Sequence, residues 1–64
     1  MAIKAQAQIL GYIKAAEMEL SEAAYKLGDG EFGTARHCLE VVERELVKAV
    51  EALNEAEVAA HAKG

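Results

Sequence analysis

Cys38 lies beside His37, and Glu57 precedes a second histidine, His61, by four positions; these are the residue types that could hold a metal or attack a substrate. Neither arrangement completes a site. Successive helical residues diverge by about 100°, so the His37 imidazole and the Cys38 thiol point apart and cannot share one ion or exchange a proton. A di-iron centre in a helical bundle asks for Glu-x-x-His on two helices plus further inward glutamates, and that spacing does not occur here. Ser21 has no histidine in its own segment to activate it. Gly28-Asp29-Gly30 puts a carboxylate where a phosphate-binding loop would present converging amides. The residues therefore predict no catalytic group, no metal site, no cofactor and no enzyme activity.

With chemistry set aside, the composition speaks about architecture. Residues 1–64 form one domain, in the size range where a single core needs a disulfide, a metal or a partner chain for support. The single cysteine excludes an internal disulfide, suits a reducing compartment and leaves a chain-to-chain bridge through Cys38 open. Proline and tryptophan are absent and aromatic residues make up 5% of the chain, while Ala, Glu, Leu, Val and Lys dominate, so an all-α fold is expected. The first residues lack a cationic region followed by an apolar run, and no stretch approaches the roughly 20 apolar residues of a membrane span, which predicts a cytoplasmic protein. A net charge of -4 opposes broad contact with a phosphate backbone and argues against nucleic acid as a partner.

Apolar residues recur at helical spacing in two blocks. In the first, Ile9, Ile13, Ala16, Leu20, Ala23 and Leu27 alternate steps of four and three, predicting an amphipathic helix over about 3–27. In the second, Phe32, Ala35, Leu39, Val42, Leu46, Ala49, Leu53 and Ala56 hold a seven-residue period, predicting a helix over about 31–61 with left-handed, coiled-coil packing. Residues 28–30 form the turn, with Gly28 expected in the left-handed conformation that closes a helix, and with Asp29 or Thr34 as the cap of the next. So short a connection makes the helices antiparallel neighbours. Within each block, large residues (Ile13, Leu20, Leu27; Leu39, Leu46, Leu53) occupy one heptad position and mostly small ones the other, a code for close backbone approach with large side chains filling the gaps.

A bare hairpin leaves part of both stripes in water. Two hairpins stacked stripe to stripe bury them in an antiparallel four-helix bundle, so a homodimer is expected, with the fourteen stripe residues above as its core and with a tetramer or a complex with a different helical protein as lesser options. This layout resembles that of the Rop family, small RNA-binding regulators whose helical hairpins dimerise into four-helix bundles with alternating small and large core layers. The resemblance implies an RNA- or nucleic-acid-binding regulator as the alternative function. The segment Gly30-Glu31-Phe32-Gly33-Thr34-Ala35-Arg36-His37-Cys38-Leu39 is also similar to the second-helix entry of tetratricopeptide-type and HEPN-type hairpins, although Arg36 and His37 are adjacent here, unlike the HEPN ribonuclease pair.

Met18 and Tyr25 stand seven residues apart and off the stripe, with Lys14 nearby. A ridge of that kind is a candidate docking surface for a protein partner. Val41, Val47 and Val58 fall outside the second stripe in the same way. The primary expectation is a non-enzymatic interaction or adaptor module, a homodimeric four-helix bundle that binds a protein through its helix faces.

Overall fold

The computed structural model describes residues 2–63, with side chains described from residue 5 to residue 61. Two helices account for nearly all of them: α1, Ala2–Gly28, and α2, Phe32–Lys63. They pack against each other along their length as an antiparallel hairpin. The result is a rod of 51 × 15 × 10 Å. Its radius of gyration is 15.0 Å, against about 11 Å for a compact domain of this length.

The turn is built from backbone hydrogen bonds. Gly30 has φ of 79°, and its N–H donates to the Leu27 carbonyl at 3.0 Å while the Glu31 N–H donates to Lys26 at 2.9 Å. This 5→2 and 6→1 pair is a Schellman closure with the left-handed residue at Gly30. The expectation for Gly28 is thereby corrected: Gly28 is the last residue of α1, and the left-handed residue that closes the helix comes two places later, at Gly30. The capping expectation is corrected as well. Asp29 belongs to the end of α1, its N–H donating to Tyr25 and Lys26, and Thr34 lies inside α2, whose first carbonyl acceptor is Glu31, bonded by the Ala35 N–H at 3.0 Å. A single non-helical residue, Glu31, separates the turn from α2, and Lys26 near the negative end of α1 reaches it at 4.0 Å.

The contact between the helices is a seam of small side chains. Its buried residues are Ile9, Ala16 and Ala23 from α1 and Ala35, Cys38, Val42 and Ala49 from α2. Equal steps of seven outward from the turn bring Ala23 level with Ala35, Ala16 with Val42, and Ile9 with Ala49. Alanine at most of these places lets the two backbones come close, as helix packing with small contact residues allows. Cys38, expected only at the edge of the stripe, is part of this seam because it lies three places beyond Ala35 on the side turned toward α1.

Candidate functional site

Helical geometry separates what lies beside the seam. A residue three places after a seam position is rotated about 60° one way, and a residue four places after it about 40° the other way. On the first side lie Tyr12, Glu19 and Lys26 of α1 with Cys38, Glu45 and Ala52 of α2, a polar edge tied across the helices. Lys26 lies 3.8 Å from Glu22 and 4.0 Å from Glu31, Lys48 lies 3.6 Å from Glu45, and the Lys48 ammonium is 6.0 Å from the centre of the Tyr12 ring. Gln8 Nε2 donates to the Tyr12 hydroxyl at 3.3 Å. These groups are partly solvated, so each pair contributes only tenths of a kcal/mol up to about 1 kcal/mol.

On the second side lie the large residues. In an antiparallel pair the two four-place offsets turn toward the same side of the hairpin, so Ile13, Leu20 and Leu27 of α1 share one face with Phe32, Leu39, Leu46 and Leu53 of α2. The seam covers only part of them. Exposure runs from 37% at Ile13 to 67% at Phe32. Leu10 and Val50, directly after the seam residues Ile9 and Ala49, widen this leucine face at the open end of the hairpin and are about half exposed. The stripe pattern does not single them out, because the same heptad position is charged at Glu17, Arg36, Glu43 and Glu57.

The size of the uncovered surface can be judged independently. A chain of 6.8 kDa folded as a compact monomer exposes about 4,000 Å². This hairpin exposes 5068 Å². The excess is about 1,100 Å² by that scaling; among the described residues no large side chain is fully buried, and thirteen large hydrophobic ones are exposed.

Of the fourteen stripe residues, Ile9, Ala16, Ala23, Ala35, Val42 and Ala49 are buried in the seam, Ala56 is half-buried, and Ile13, Leu20, Leu27, Phe32, Leu39, Leu46 and Leu53 form the leucine face. The off-stripe residues lie elsewhere. Lys14 and Met18 are two places either side of Ala16, and Tyr25 is two places after Ala23, a rotation of about 200° or its reverse that puts all three on the side of α1 remote from α2. Met18 is 74% exposed and Tyr25 71%. Val47 and Val58 are exposed on α2, and Val41 is half-buried.

The chemistry-bearing residues are dispersed. His37 is exposed whereas Cys38 is buried, and Glu57 and His61 stand on the surface of the last turns of α2. Among the described residues no three His, Cys, Asp or Glu side chains gather closely enough to hold a metal ion. Burial pushes the Cys38 thiol above its ordinary pKa of 9.0; the neighbouring Glu19 carboxylate and the charge of Glu22 add to the rise, which Lys26 opposes. At neutral pH it is a protonated thiol, not a nucleophilic thiolate. No described helix is long and apolar enough to cross a membrane. No protein-family model, curated protein or solved structure matches the chain.

Proposed function

We propose that this chain is a non-catalytic assembly module: two copies close their leucine faces on each other as a four-helix bundle, and the outer side of α1 receives a protein partner. The observation that carries the reading is the single face on which Ile13, Leu20, Leu27, Phe32, Leu39, Leu46 and Leu53 all stand partly in water. A standard homodimer interface takes about 800 Å² from each copy, less than the roughly 1,100 Å² by which this hairpin exceeds a compact monomer. A second copy suits the face because a like surface offers matching rows of large side chains at the same heptad spacing.

Once that face is closed, Met18 and Tyr25 remain on the outside of the bundle with Lys14 beside them. A thioether, a phenol and an ammonium at helical spacing offer a partner an adaptable apolar contact, an amphipathic ring and a charge, the residue chemistry of protein interfaces. Substitution separates the two surfaces. Leu39→Glu is expected to split the assembly into single hairpins, while Met18→Glu with Tyr25→Glu is expected to leave it whole; the opposite pattern, read by light scattering, overturns the assignment of faces.

A further inference from the structure

Resting on the reading that two copies meet through their leucine faces, the geometry points to one pairing: the hairpins lie head to tail, the turn of each over the open end of the other, with Arg36 of each chain against Glu57 of the second copy.

The hairpin itself shows how flanking positions behave in an antiparallel helix pair. Three places after the seam, Glu19 of α1 lies close enough to Cys38 of α2 to perturb its thiol, and Lys26 reaches Glu31 in the turn. The opposite flank, one place after the seam, borders whatever covers the leucine face. Outward from the turn in steps of seven, that flank carries Arg36, then Glu43 level with Glu17, then Val50 level with Leu10, then Glu57. All six are exposed or half exposed in the single hairpin.

Two twofold arrangements overlap the rods fully. With the turns at the same end, α1 of one copy lies along α2 of the other at equal levels, which sets Glu17 against Glu43, twice by symmetry, and leaves Arg36 and Glu57 at opposite ends. With the turns at opposite ends, each helix lies along its own counterpart with the levels inverted. Glu17 and Glu43 then fall beside Leu10 and Val50, and Arg36 falls beside Glu57, again twice. Both arrangements bury the same leucine rows, so the apolar contribution is common to them and the charge pattern selects between them. Like charges oppose one pairing, and opposite charges favour the other.

Pulsed electron resonance on nitroxide-labelled Asp29→Cys, in a Cys38→Ala background, reads the orientation directly. Asp29 lies sixteen or seventeen residues beyond the midpoint of the ladder on either helix, so head-to-tail pairing predicts a distance of about 50 Å, and turn-to-turn pairing one under about 20 Å. Arg36→Glu is expected to weaken self-association about tenfold or more, and adding Glu57→Arg to restore it. A dimer with the short distance, or one whose affinity ignores the charge swap, overturns the head-to-tail pairing alone. A chain that stays monomeric at about 100 µM, a concentration that populates even weak dimers, overturns the reading of the leucine face on which it rests.

Discussion

Truncating Leu46 to alanine separates a closed leucine face from an open one. Leu46 sits midway along the face and is 47% exposed in the hairpin. Full burial of a leucine is worth about 1.5–3 kcal/mol, so removing a side chain already half in water costs a lone hairpin about 1 kcal/mol. In a closed bundle the same side chain is enclosed, and a buried leucine-to-alanine change costs about 2–5 kcal/mol. The difference, about 1–4 kcal/mol per chain, counts twice in a symmetric dimer and raises the dissociation constant at least about 30-fold. Thermal unfolding followed by circular dichroism at about 5 and about 500 µM reads this, because a Tm coupled to association moves with concentration. The parent chain should melt higher at the higher concentration, and Leu46→Ala should lose most at the lower one. Val42→Ala is the control: Val42 is buried in the seam within one chain, so it should cost about 1–2 kcal/mol at either concentration. A small, concentration-independent loss for Leu46→Ala, with Val42→Ala the costlier change, refutes the reasoning.

Other perturbations probe single features. Gly30→Ala should destabilise by about 1–2 kcal/mol, since φ of 79° strains any side chain even though nothing lies within 4 Å of the new Cβ; Gly28→Ala, helical and equally open, should stabilise by roughly 0.5–1 kcal/mol, and chemical denaturation distinguishes them. Because the folded Cys38 pKa is raised, the thiol's contribution is intact below its ordinary value of 9.0 and is lost as pH rises through the folded value. Stability should therefore fall above pH 9, and Cys38→Ala should flatten that part of the decline. The Cys38 thiol should also react slowly with iodoacetamide at pH 7.5 until the chain is denatured. Met18→Gln with Tyr25→Gln should leave Tm and mass unchanged within about 0.5 kcal/mol, as changes at exposed positions do.

The two helices and their hairpin were legible because apolar residues at steps of three and four define a helical phase, and the lack of proline lets each helix run on. The division of labour between the two stripe positions was not. Periodicity marks Ala16 and Leu20 alike as apolar, but it does not say which lies against α2. Packing decides that: alanines let the backbones close up, and the leucines four places on are turned aside. The same closeness draws Cys38 into the seam and leaves Leu10 and Val50 beside the leucine face. In the turn, either glycine could take a positive φ, and hydrogen bonding from Gly30 and Glu31 back to Leu27 and Lys26 selects Gly30. The outer position of Met18 and Tyr25 was readable because it needs only the phase of one helix.

Sedimentation equilibrium of the unmodified chain across the micromolar range addresses the closed leucine face most directly. A mass twice the 6.8 kDa of one chain, falling toward the single value only on dilution, is what a covered face predicts. A stably helical single chain throughout that range contradicts it.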